Sequence, residues 1–140
     1  MMNNIEIEKN IYEDIISHSK ELSPIEACGY LVGSENIITK IFPMKNMDQS
    51  EDHFTFDPAE QFNVLKMTRE QNLSILSVYH SHPISAPVLS QEDLRLLNDP
   101  KMVYIIVSLE NNETNVKGYR ITRNGSTAEI NEVKLNIINK

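Results

Sequence analysis

Hydrophobic positions along the chain change their period several times, and each change marks an element. Ile5 and Ile7 alternate with polar residues, as in a short strand. From about Glu8 to Leu22, Ile11, Ile15, His18 and Leu22 recur at helical spacing, with Tyr12 and Ile16 beside them. That spacing predicts an amphipathic helix with one face on a core, ended by Ser23-Pro24. Two strand-like runs follow, Cys28–Val32 and Ile37–Phe42, with Gly33-Ser34-Glu35-Asn36 as a hairpin turn between them. A polar loop covers about Met44 to His53. Asp57-Pro58-Ala59-Glu60 has a capping residue, a proline at the first position and a carboxylate three after the cap, which together start a helix. That helix is expected to run to about Asn72 and to bury Phe62 and Leu65.

Leu73–His82 reads as a strand closed by Pro83, and Pro87–Leu89 continues a loop. Ser90 caps a short helix that ends near Asn98, before Asp99-Pro100. Met102–Leu109 is almost wholly apolar and β-branched, the composition of a central strand buried on both faces. Asn111-Asn112 makes a turn. Val116–Ile121 and Ala128–Ile137 are further strands, separated by an Asn124-Gly125 turn. The sum is a mixed sheet with helices packed on it, an α/β sandwich. No internal repeat or linker interrupts the pattern, so residues 1–140 are expected to form a single domain.

Composition narrows the function classes. A complete (β/α)₈ barrel needs roughly 200 residues or more, and this chain has 140. The formal net charge of −7 argues against a nucleic-acid partner, which calls for a basic face. Cys28 is the one cysteine, so no internal disulfide forms, and any zinc site built on two or more thiolates is excluded. The stretch Met1-Met2-Asn3-Asn4-Ile5-Glu6 lacks a basic region followed by an apolar one, and no run approaches the roughly 18 apolar residues of a membrane span. The expected compartment is the cytoplasm, with no membrane partner.

The chemistry concentrates in His80-Ser81-His82-Pro83, followed by Ser90 and Asp93. Side chains alternate on a strand, so His80 and His82 share a face. The seven residues between His82 and Ser90 can fold Asp93, in the first turn of the next helix, back to the strand end. Two imidazoles, a carboxylate and a water make the open, catalytic kind of zinc site. Each part has a plainer reading when taken alone. Ser90-x-x-Asp93 resembles a helix capping box, and His-x-His is an ordinary polar strand end. The whole pattern arises in roughly one shuffled chain of this composition in a few thousand. Cys28 reads as a small buried residue, His18 as a satisfied histidine at the core edge, and His53 as a loop residue.

These residues resemble the JAMM motif of the MPN-domain (Mov34/PAD-1) metallopeptidases, in their short prokaryotic form. The resemblance extends upstream to Pro24-Ile25-Glu26-Ala27-Cys28-Gly29-Tyr30-Leu31-Val32-Gly33, similar to a family segment P-x-E-x-C-G-x-L-x-G, and it spans about Ile5 to Ile121. It implies an α-β-α sandwich with a curved mixed sheet, the cytidine-deaminase-like MPN fold. It implies Zn²⁺ held by His80, His82 and Asp93, a water activated by Glu26, and an oxyanion stabilised by Ser90. It also implies a substrate: the Gly-Gly C-terminal tail of a ubiquitin-like or sulfur-carrier protein, cleaved at a peptide or isopeptide bond. Many relatives carry proline where this chain has Leu89, which bears on loop rigidity and leaves the ligands untouched. The competing reading is a non-catalytic MPN interaction module, but such modules typically lack one or more ligands. Deaminases need P-C-x-x-C and zincins need H-E-x-x-H, and the chain has neither.

Overall fold

Residues 3–139 are described by a computed structural model; Met1, Met2 and Lys140 lie outside the described residues. The strands are β1 (Asn4–Glu8), β2 (Cys28–Ser34), β3 (Ile37–Met44), β4 (Ser74–His82), β5 (Val103–Ser108), β6 (Asn115–Asn124) and β7 (Thr127–Ile138). The helices are α1 (Lys9–Leu22), α2 (Pro58–Glu70) and α3 (Gln91–Leu96). Each begins and ends close to the position that its change of period predicts. The β2–β3 hairpin turns at Glu35 and Asn36, both in the left-handed region, and the β6–β7 hairpin turns at Gly125 with φ +62°.

The sheet is mixed. Its spatial order is β1-β3-β2-β4-β5-β6-β7, with β1 parallel to both β3 and β7, and β4 parallel to β5. The β1–β7 pairing, Ile5 opposite Leu135, joins the two ends of the chain and closes the curved sheet on itself. β5 is buried along its whole length between β4 and β6, as its unbroken apolar run demands.

Alternation along β2 and β4 divides the core in two. One side holds Leu31, Tyr79, Ile105 and Val107 against Ile11 and Ile15 of α1. His18 of α1 is satisfied there by the Tyr79 hydroxyl at 2.7 Å. Gly29 gives Tyr79 its room, because a Cβ at that position would lie 2.5 Å from the tyrosine ring. The other side holds Cys28, Tyr30, Val78, Tyr104 and Ile121 with Val64 of α2, and Leu89 packs against it. Burial pushes the Cys28 thiol up to about 12, so it is a neutral packing group.

The expected burial of Phe62 and Leu65 is overturned: they are 66% and 48% exposed, and Val64 and Thr68 face inward instead. Polar tethers set the rotation of α2. Gln61 donates to the Tyr30 hydroxyl at 2.9 Å, Glu60 accepts from the Lys45 amide at 3.0 Å, and Thr68 satisfies its own hydroxyl on the Val64 carbonyl. Among the described residues, no helix is long and apolar enough to cross a membrane.

Candidate active site

His80 and His82 end β4 on the same face and are 0% and 3% exposed. Ser81, between them, points the opposite way. Its hydroxyl accepts the Ala27 amide at 2.8 Å, and its own amide donates to the Ala27 carbonyl at 3.0 Å. This reciprocal pair extends the β2–β4 ladder past Cys28 opposite His80 and carries Glu26 to the end of β4. Glu26 is buried, and its backbone is pinned on both polar atoms. The amide donates to the Ser50 carbonyl at 2.8 Å, and the carbonyl accepts from Asn46 at 3.0 Å. The Asn46 side chain also holds the His53 carbonyl and the amides of Asp48 and Thr55, so one buried amide organises the loop over the site.

Asp93 arrives from the first turn of α3. Ser90 caps that helix by accepting the Asp93 amide at 3.0 Å, and the Ser90 amide donates to Asp93 Oδ2 at 3.0 Å. The capping box and the site reading are therefore one structure, because the box fixes the carboxylate that faces the histidines. The connecting loop is fastened by Ser108 on the Ser85 carbonyl and Tyr119 on the Pro87 carbonyl, both at 2.6 Å.

Three donors converge. His80 Nε2 lies 3.2 Å from His82 Nε2 and 3.2 Å from Asp93 Oδ1, and His82 Nε2 lies 3.1 Å from Asp93 Oδ2. His82 Nδ1 donates to the Ala86 carbonyl at 2.8 Å, which directs its Nε2 lone pair at the group. Ligand bonds of about 2.0–2.1 Å in a tetrahedron set neighbouring ligand atoms about 3.3 Å apart. The three edges fit that figure, and buried ring nitrogens this close to a carboxylate need a shared proton or a cation. The group can hold a metal ion.

The protonation shifts describe the same competition without a metal. Burial lowers His80, with the Asp93 carboxylate opposing. Burial also works against protonated His82, but bonds to Asp93 and the Ala86 carbonyl outweigh it and raise this histidine. For Asp93, burial is overcome by both imidazoles and the Ser90 amide, which hold it well below the usual carboxylate range. Glu26 goes the other way. Burial, reinforced by Asp93 and Asp52 against the pull of His82, raises it to about 8, and its Oε1 has no hydrogen-bond partner. Opposite shifts on two neighbouring carboxyl groups, Asp93 toward the anion and Glu26 toward the acid, suit the site to proton transfer.

Glu26, His82 and Ser90 line a common cleft of about 370 Å³ with Ser85, Glu51 and Asp52. On the other flank of Asp93 lies an apolar pocket of about 260 Å³ walled by Phe54, Phe56, Leu96 and Tyr104. The Phe54 ring packs on His80 with centroids 5.0 Å apart. His53 stands at the rim of that pocket, 2.9 Å from Asp48. The structure thus brings together all five residues singled out from the sequence. It adds Ser81 and Asn46, which hold Glu26 in place. Strand alternation alone turns Ser81 away from the histidines; nothing in the sequence marks Asn46. Ser81→Ala strips the buried Ala27 amide of its acceptor. It is expected to lower the unfolding free energy by about 1–3 kcal/mol in urea denaturation, with metal uptake retained.

A family model described as prokaryotic homologs of the JAB domain matches residues 8–122. A desampylase of Pyrococcus furiosus is 31% identical over 86 residues, covering 61% of this chain and 61% of that relative's length. A CysO-cysteine peptidase of Mycobacterium tuberculosis is 27% identical over 126 residues, covering 88% of this chain and 86% of the relative. A protein of Desulfitobacterium hafniense, solved in solution, superimposes with a TM-score of 0.85 at 31% identity, covering 97% of this chain and 94% of its own.

Proposed function

The chain belongs to the family of prokaryotic JAB-domain homologs, and on that premise we propose that it is a zinc peptidase. It hydrolyses a peptide or isopeptide bond at the Gly-Gly C-terminus of a ubiquitin-like or sulfur-carrier protein. The observation that carries this reading is the closing of His80, His82 and Asp93 to 3.1–3.2 Å beside the unpaired, buried carboxyl of Glu26. The desampylase and the CysO-cysteine peptidase support the choice of bond. We place the activity in the cytoplasm, with residues 1–140 acting as one unit.

His80, His82 and Asp93 would hold the zinc ion, which when bound supplies Lewis acidity and lowers the pKa of water from about 15.7 toward 7. Glu26 takes the proton of the attacking water and later delivers it to the departing amine. Burial makes the Glu26 carboxylate more basic than an exposed one, which suits it to take the proton, and the charge of a bound cation would favour its ionised form beforehand. Ser90 keeps two tasks apart. A lone pair of its hydroxyl receives the Asp93 amide, which leaves the hydroxyl hydrogen free to donate to the oxyanion that develops on the scissile carbonyl. Such a donor is worth about 3 kcal/mol. Asn46 and Ser81 keep Glu26 in register throughout.

The test is metal analysis together with hydrolysis of a sulfur-carrier protein whose Gly-Gly end is joined either to one extra residue or to the side chain of a lysine within a peptide. Cleavage is expected to stop with a chelator and to return with zinc. A non-catalytic MPN module would take up no zinc and cleave nothing.

A further inference from the structure

Resting on the peptidase reading above, we infer that the site selects bonds whose leaving amine belongs to a polypeptide, such as a lysine side chain. It discriminates against a leaving amino acid that carries a free α-carboxylate, and Glu51 and Asp52 are the specificity-determining residues. The two flanks of the reacting centre carry this inference. The cleft beside Glu26 is lined by the carboxylates of Glu26, Glu51 and Asp52, with Ser85 and Ser90 as neutral polar groups. The pocket beyond Asp93 is walled by aromatic and aliphatic side chains, with Glu92 at its edge. Among the described residues, neither flank is lined by a lysine or an arginine. His53 gives no substitute, because its imidazole lies 2.9 Å from Asp48 and 3.7 Å from Asp52.

The conclusion therefore does not depend on which flank takes the leaving group. A free α-carboxylate sits one residue from the scissile amide when a single amino acid is released. It would enter either an acidic cleft or an apolar pocket whose side chains offer no cation, while the charge of a bound zinc ion is already met by Asp93 and Glu26, and both flanks are unfavourable. A lysine-linked bond presents only neutral amides and methylenes there. The buried, unpaired Oε1 of Glu26 on the cleft wall marks this side as the one where a reacting group is met. The chain's net charge of −7 adds a longer-range preference for cationic surroundings.

Three peptides sharing one arm that ends in Gly-Gly separate the cases. The first continues into alanine with a free carboxylate, and the second into the same alanine as its amide. In the third, the arm is joined to the ε-amine of a lysine within a peptide. With the zinc-loaded full chain, kcat/KM for the amide and the lysine-linked peptide is expected to exceed that for the free acid by about fivefold or more at low salt. The gap should narrow as salt rises. The E51Q/D52N double variant should bring the ratio of amide to free acid toward one. Equal or faster cleavage of the free acid overturns the inference, and an unchanged ratio in the double variant overturns the assignment to Glu51 and Asp52. Cleavage of none of the three removes the peptidase reading itself, and the preference with it.

Discussion

Glu26→Gln is expected to abolish turnover and, in the metal-free protein, to remove a stability penalty that grows with pH. The first effect follows from the proposed role. An amide can neither accept the proton of water nor return it to the amine, so kcat should fall by about a thousandfold or more, with zinc content unchanged. The second follows from burial. The folded protein holds this carboxyl at about 8, against an ordinary value of 4.5. Between those values the native state binds a proton that the unfolded chain has released. Stability from this group is therefore fully present below the unfolded value and lost as pH rises through the folded one. At one pKa unit per 1.36 kcal/mol, the parent protein should lose about 3–4 kcal/mol from this source between pH 5 and pH 8. The E26Q variant should lack that decline. Urea denaturation of chelator-treated protein across this range measures it as the difference between two curves. Parental turnover in E26Q would remove Glu26 as the base, and equal slopes for the two proteins would show that burial does not hold its proton in the metal-free fold.

How far the sequence discloses this site depends on the range of the interactions involved. His80 and His82 are legible because strand alternation is local, and Asp93 because a helix start seven residues on has few ways to return. Glu26 is legible only through resemblance; among the 20 acidic residues, nothing local separates it from Glu21 or Glu35. What singles it out physically is a hydrogen bond spanning 54 positions, from the Ala27 amide to Ser81, and another from Asn46. Closure of the sheet is hidden for the same reason, since β1 and β7 meet from opposite ends of the chain. The orientation of α2 misleads because Phe62 and Leu65 supply an apolar spacing, while Gln61 and Glu60, bound to Tyr30 and Lys45, decide which side turns inward.

Replacing Asp93 in two ways separates its two structural duties. Asp93→Asn keeps an oxygen that can accept the Ser90 amide, so the capping box survives. The carboxylate charge facing His80 and His82 is lost. Asp93→Ala loses both the charge and the cap acceptor. Both variants are expected to bind zinc at least about a hundredfold more weakly, since a ligand matters more than the outer partners whose loss costs 10–100-fold. Both should lose the rise in melting temperature that zinc gives the parent. In the absence of metal they should part company. D93A should be less stable than D93N by about 1 kcal/mol, the usual value of a cap. Asp93 also adds an acid-sensitive contribution in the parent. Its carboxyl is held low in the fold, so that contribution is present above the unfolded value and is lost as pH falls through the folded one. Both variants should lack it. If D93N bound zinc as tightly as the parent, the carboxylate would be only a helix cap. The two imidazoles would then be left without the third ligand on which the hydrolytic reading depends.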